Sequence, residues 1–202
     1  APPGGHAGDR SNGALHARGR RTGSTVPVQS RSLTWAAMQA CTIIARNYLA
    51  HARVLAASFA EHDPDGRFSV LVIDGLEGYT DPADESFEVL TPADIGLDVR
   101  LMATRYDVLE LSTAVKPWLL RFLLDRDDDH VIYLDPDIQL FSSLEPIAEL
   151  AREHGIVLTP HLTTAMPRDG RRPNEQDILM AGIHNLGFLA LGKGEAADTL
   201  LD

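Results

Sequence analysis

His130-Val131-Ile132-Tyr133-Leu134-Asp135-Pro136-Asp137 is the stretch on which the reading of this chain turns. A short apolar run ending in turn residues reads as a strand buried on both faces. Two carboxylates follow it, at i and i+2. Extended residues two apart point to the same side, and a bend at Pro136 turns Asp135 and Asp137 toward one point. Without a cation such a pair repels, and one member tends to protonate. A hard divalent cation, Mn2+ or Mg2+, takes oxygen ligands and accepts partial protein coordination when phosphates complete its shell. Such a cation neutralises the charge that develops on a diphosphate as its bond to a sugar breaks. Asp and Pro are also ordinary turn formers, so a plain turn after a strand is the competing reading.

Working outward, short apolar runs alternate with longer stretches of helical spacing. Met38 to Ile44, Phe68 to Ile73, Phe87 to Leu90, Ile156 to Thr159 and Gly187 to Leu191 read as further strands. Tyr48 to Glu61 reads as a helix capped by Asn47, with Leu49, Ala52, Leu55, Ala56 and Phe59 on one face. Leu97 to Asp125 reads as helices broken at or before Pro117, and Leu144 to His154 as another helix. Alternating strands and helices predict an α/β fold with a mainly parallel sheet flanked by helices. Such sheets carry ligands at the carboxyl ends of their strands. Asp125 to Asp129 lies at the opposite, amino end of its strand and reads as a solvated turn. Trp118, Leu119, Leu120, Phe122 and Leu123 read as core.

The chain has 202 residues and a formal net charge of −11. Residues 1–32 are rich in Gly, Arg, Ser and Pro and nearly devoid of large apolar side chains, which predicts a disordered basic tail. With five arginines against Asp9, the tail carries +4, leaving −15 on residues 33–202. That acidity excludes a general nucleic-acid binder, whose phosphate contacts need clustered Lys and Arg. No run of about 18 apolar residues is present, so no transmembrane segment is expected. Cys41 is the only cysteine, and a reducing compartment is the default. The expected location is cytoplasmic, with a membrane-peripheral position left open.

Four segments, in order, resemble nucleotide-sugar-dependent glycosyltransferases of the Rossmann-like GT-A fold, in particular the glycogenin and bacterial lipopolysaccharide galactosyltransferase group. They are Ala40 to Phe59 (ACTIIARNYLAHARVLAASF), Leu111 to Leu124 (LSTAVKPWLLRFLL), Val131 to Phe141 (VIYLDPDIQLF) and Gly182 to Leu191 (GIHNLGFLAL). The resemblance implies that Asp135 and Asp137 hold Mn2+ or Mg2+ and, through it, a sugar-nucleotide diphosphate, with Asp135 also near the ribose. It implies that Cys41, Thr42 and Ile43 line the nucleoside pocket and that Lys116 faces the diphosphate or the sugar. Asn185 falls near the transferred sugar or the acceptor, and Gly187 where backbone must approach closely. Asp74, at the end of its strand, is a candidate for the base or ribose as well as an ordinary turn residue. The implied partners are a nucleotide-sugar donor, UDP-linked in the first instance, and a glycan, lipid or small-molecule acceptor. The family's further acidic motif and histidine have no counterpart before Asp202, so residues 33–202 are expected to be an incomplete catalytic domain, inactive on its own in one reading.

His161 is a weaker candidate for acceptor binding or proton transfer. Glu175 and Asp177 sit in a polar stretch, Arg168 to Asp177, that reads as a loop able to close over an acceptor. Two rival functions remain. Haloacid-dehalogenase-type phosphohydrolases also place Asp-x-Asp after an apolar strand, with the first Asp as nucleophile. They carry it on an early strand, and the Thr or Val they place two residues after the second Asp is Gln139 here. A non-catalytic sugar-nucleotide-binding domain is the other. Oligomeric state does not follow from the sequence.

Overall fold

The computed structural model describes residues 37–126 and 129–202. The expected tail, 1–32, lies outside the described residues. The chain divides into Ala1–Thr34 and Trp35–Asp202, and the sheet belongs to the second unit.

Six strands form one sheet in the order β3-β2-β1-β4-β6-β5. Their ranges are β1 Gln39–Ile44, β2 Arg67–Val72, β3 Glu88–Leu90, β4 His130–Leu134, β5 Ile156–Pro160 and β6 His184–Gly192. β1 pairs in parallel with β2 and β4, and β2 with β3. β6 lies antiparallel between β4 and β5. The sheet is mainly parallel, as expected, with β6 alone reversed. One edge of the sheet thus gathers the carboxyl ends of the parallel strands and the amino end of β6.

Side-chain alternation divides the core into two layers. Ala40, Ile44, Val70, Val72, Ile132, Leu134 and Ala190 face one layer, against α1 (Leu49–His62) and α4 (Glu145–His154). Cys41, Ile43, Leu71, Val131, Tyr133, Leu189 and Leu191 face the other. Leu111 of α2 (Val108–Ala114), the leucines of α3 (Lys116–Leu124) and Ala197 of α6 (Glu195–Leu201) fill that side. A strand covered on both faces must be apolar at every position, which is why these strands read as continuous apolar runs.

Several local expectations are corrected. Asn47 does not cap α1: it sits in a 3-10 turn, Arg46–Tyr48, that leads straight into the helix, whose N-cap Tyr48 makes no side-chain cap bond. Leu97 to Asp107 holds turns and one 3-10 turn, Met102–Thr104, rather than regular helix. The break expected at or before Pro117 is present, at Val115 between α2 and α3, and Pro117 itself occupies the first turn of α3, where its missing N–H costs nothing. Trp118 is 44% exposed and lies outside the core that takes Leu119, Leu120 and Leu123. The stretch expected as a loop over Arg168 to Asp177 runs into a helix: α5 is Glu175–Ala181, started by a capping box between Asn174 and Asp177. Asn-x-x-Asp ahead of Ile178-Leu179-Met180 was the available signal.

At the amino end of β4, His130 is fully buried. Its Nδ1 lies 2.5 Å from Asp129 Oδ1, and the Gln39 backbone N–H points at its Nε2 from 3.5 Å. These partners assign the neutral ring with the proton on Nδ1. Arg152 of α4 donates to Asp129 Oδ2 at 3.1 Å and to Glu145 at 2.8 Å. Asp129 is thus a pin between β4 and α4 rather than part of a solvated turn; residues 127–128 lie outside the described residues.

Burial is the main cause that pushes the His130 pKa below its ordinary 6.5, with Asp129 pulling the other way and Arg152 adding to the fall. Below about pH 6.5 the unfolded chain therefore binds a proton that the folded chain refuses, and stability drops as pH falls through that window. The slope reaches at most about 1.4 kcal/mol per pH unit, the value for one proton. Urea unfolding between pH 7 and pH 5 should show this fall in the wild type and a flatter profile in His130→Gln.

Candidate functional site

The site begins where β4 ends. The register pairs Leu134 with Phe188, and the Asp135 backbone N–H donates to the Gly187 carbonyl at 2.7 Å, carrying the β4–β6 ladder one residue further. The chain then turns: Ile138 N–H donates to the Asp135 carbonyl at 3.1 Å, which puts Pro136 at the second position of a β-turn, where its fixed φ is favourable. Asp-Pro-Asp is thus a turn, and the turn is what carries both carboxylates to the open edge.

The Asp135 side chain is held through one oxygen, by two partners. The Tyr133 hydroxyl donates to its Oδ1 at 2.9 Å. Lys116 Nζ stands 3.5 Å from the same oxygen. Its Oδ2 has no hydrogen-bond partner among the described residues and points over Gly187. A Cβ on residue 187 would lie 2.5 Å from that Oδ2 and 3.0 Å from Asn185 Oδ1. Asn185 Oδ1 in turn accepts the Gly187 backbone N–H at 2.9 Å. Gly187 is therefore the space into which two side-chain oxygens, from β4 and β6, converge.

Lys116 opens α3 and reaches the sheet edge. Its ammonium donates to the Leu186 carbonyl at 3.1 Å and sits 4.3 Å above the centre of the Tyr133 ring. Its side chain is only 11% exposed. Burial lowers its pKa, and the Asp135 charge pushes back. The Tyr133 phenol is held well above its ordinary range, chiefly by burial and then by the charge of Asp135, with Asp137 adding in the same sense. Tyr133, a strand residue by its sequence, thus joins the candidate site. Its spacing, two before Asp135 on the same side of the chain, was the signal.

Asp137 is exposed and makes no hydrogen bond or ion pair among the described residues. It borders a shallow depression of about 270 Å³ with Ala50, His51, Val54, Ile138 and Gln139. The Tyr48 ring stacks obliquely on His51 at 4.9 Å beside it.

The other expected residues lie elsewhere. Cys41, Thr42 and Ile43 are the third to fifth residues of β1 rather than its end, and they are 0%, 0% and 2% exposed. Their side chains enter the two core layers; the chain that emerges at the edge is Ala45-Arg46-Asn47. Burial drives the Cys41 thiol pKa strongly upward, so it stays protonated. The Thr42 hydroxyl is the one buried side-chain polar atom without a partner among the described residues. Asp74 sits at the same edge, beyond β2, where it accepts the Arg46 backbone N–H at 2.8 Å and pairs with the Arg46 guanidinium at 3.4 Å. It ties the β1–α1 turn to β2. The His161 ring lies 2.7 Å, through Nδ1, from the Gly182 carbonyl, and its backbone N–H donates to Ile183. Glu175 and Asp177 occupy the first turn of α5, with Asp177 accepting the Asn174 N–H at 2.8 Å.

The structure therefore brings Lys116, Tyr133, Asp135, Asn185 and Gly187 together, with Asp137 one turn away. Among the described residues no group of three or more His, Cys, Asp or Glu is arranged to hold a metal. No described helix is long and apolar enough to cross a membrane.

No family model matches the chain, and no curated protein does. Among solved structures it is similar to the galactosyltransferase LgtC in complex with donor and acceptor sugar analogs, at 20% identity over 77% of this chain and 58% of that one, with a TM-score of 0.47. It is similar also to the bifunctional glycosyltransferase WbbM, at 13% identity over 78% of this chain and 31% of that one, TM-score 0.48. The glycosyltransferase GlyE of Streptococcus pneumoniae TIGR4 is a third, at 16% identity over 82% and 37%, TM-score 0.46. The chain spans 58% of the length of LgtC.

Because Asp135 is pinned through Oδ1, it cannot swing away freely from a methyl group at residue 187. Gly187→Ala should cost about 1–3 kcal/mol in urea unfolding, the usual cost of overpacking. Adding Asp135→Ala should recover part of that loss, giving a less than additive double variant. A Gly187→Ala protein as stable as wild type would contradict the contact.

Proposed function

We propose that the chain is the donor-binding part of a metal-dependent glycosyltransferase, which moves a sugar from a nucleotide diphosphate donor, UDP-linked in the first instance, to a hydroxyl on a glycan, lipid or small molecule. One observation carries the reading: a carboxylate and an ammonium are fixed 3.5 Å apart at the carboxyl edge of the sheet, while the second carboxylate oxygen stays unengaged. A diphosphate held through a cation asks for both signs of charge at one place. The order of the four sequence segments supports the same reading.

The donor set fits Mn2+ or Mg2+. Asp135 Oδ2, the Asp137 carboxylate and Asn185 Oδ1 are all hard oxygens, and Gly187 leaves room between two of them. A divalent ion bound there would act as a Lewis acid toward the departing diphosphate. Lys116, seated between the Leu186 carbonyl and the Tyr133 ring, offers a positioned positive charge to phosphate oxygens. A fixed charge needs no reorganisation as the leaving group develops its own, so rate would come from positioning and electrostatics. The resemblance to the glycogenin group suggests transfer with retention.

Titration calorimetry with UDP tests the proposal. Mn2+ should strengthen UDP binding by tenfold or more, about 1.4 kcal/mol. Asp137→Asn should reduce binding to its metal-free strength. UDP affinity indifferent to Mn2+ would overturn the reading. Turnover of an aryl phosphate, lost in Asp135→Asn, would instead favour the phosphohydrolase.

A further inference from the structure

We infer that Tyr133 is the positioning residue of this site: it orients the Asp135 carboxylate through its hydroxyl and seats the Lys116 ammonium on its ring, so that one buried side chain fixes both charges. The inference rests on the proposed function for what the two charges do, but not for how they are held.

Tyr133 is 1% exposed, on the face of β4 that packs with Cys41, Val131, Leu189 and Leu191. For packing alone, Phe would fill the same space. The hydroxyl needs a partner when buried, and the one hydrogen bond it makes among the described residues is to Asp135 Oδ1 at 2.9 Å. That bond has a directional consequence. It occupies Oδ1 with a neutral donor and leaves Oδ2 turned over Gly187, toward Asn185 Oδ1. A carboxylate free to rotate would present either oxygen to Lys116, and the ammonium would compete with any other cation for both.

The ring does the second task. Lys116 Nζ lies 4.3 Å from its centre and donates to the Leu186 carbonyl at 3.1 Å. An aromatic face attracts an ammonium within about 6 Å of its centroid, and more strongly where water is excluded. With the ring below and Leu186 beside it, the ammonium stops 3.5 Å from Oδ1 rather than closing onto the carboxylate. The geometry makes this arrangement local: Asp135 extends the β4 ladder by one residue and lies two residues after Tyr133, so ring and carboxylate share a side.

Two substitutions separate the hydroxyl from the ring. Tyr133→Phe keeps the packing and the cation's seat but frees Asp135 Oδ1. In the full chain, Mn2+ affinity without nucleotide, read by electron paramagnetic resonance of the free ion, should fall about tenfold or more, as for other groups that orient a metal ligand. The thermal midpoint should stay close to wild type. Tyr133→Leu should in addition uncouple Lys116, so its loss of thermal stability and that of Lys116→Met combine less than additively in the double variant. Wild-type Mn2+ affinity in a folded Tyr133→Phe protein would overturn the orienting role, and strictly additive losses would overturn the seating role. If the wild type itself takes up no Mn2+, the metal reading of the site fails, and the stability cycle alone decides whether Tyr133 seats Lys116.

Discussion

The hydrogen bond from the Asp135 backbone N–H to the Gly187 carbonyl is the contact on which the rest of the site depends. It extends an antiparallel ladder beyond the end of β4, so that the first residue of a turn is still fixed by a strand. Asp135 therefore inherits the rigidity of the sheet centre while its side chain stands at the open edge. From that one fixed backbone position follow the reach of the Tyr133 hydroxyl, the place of Lys116 and the close approach of Asn185. Sites set on strands hold their geometry better than sites set on loops alone, and this one is half strand, half turn.

The reversal of β6 has a chemical effect. Had β6 run parallel to β4, its amino end would lie at the far edge, with Asn185 and Leu186 away from the carboxylates. Running antiparallel, it brings the start of its own strand to the end of β4. The Leu186 carbonyl and the Asn185 amide then face the same space as Asp135. Gly187 keeps that space open, since any larger residue would fill the gap those groups share. At the opposite end of β4, the His130–Asp129–Arg152 pin ties the same strand to α4. β4 is thus anchored at one end and carries the Asp135 charge cluster at the other.

The buried centre of the sheet was legible because a strand covered on both sides admits only apolar residues, and such runs stand out. Asp135, Asp137, Lys116, Asn185 and Gly187 were legible as candidates from motif and order. Helix α5 was not, because its seven residues are too few for a clear apolar period and its Asn174–Asp177 capping box sits in a run of polar residues. Asn47 is a good capping residue near a helix start, but a 3-10 turn displaces it from the capping position.

Taken alone, the sequence determined that an apolar strand delivers two carboxylates to a turn, because periodicity and turn chemistry are local properties. It also determined that Lys116 is an unusual cation, one of two lysines in an arginine-rich chain. Only the tertiary structure decided that Cys41, Thr42 and Ile43 face the core, that Asp74 holds Arg46, and that Tyr133 joins the site. Those outcomes depend on which strand lies beside which and in what direction, and long-range register of that kind leaves no mark on the residues of one strand read by itself.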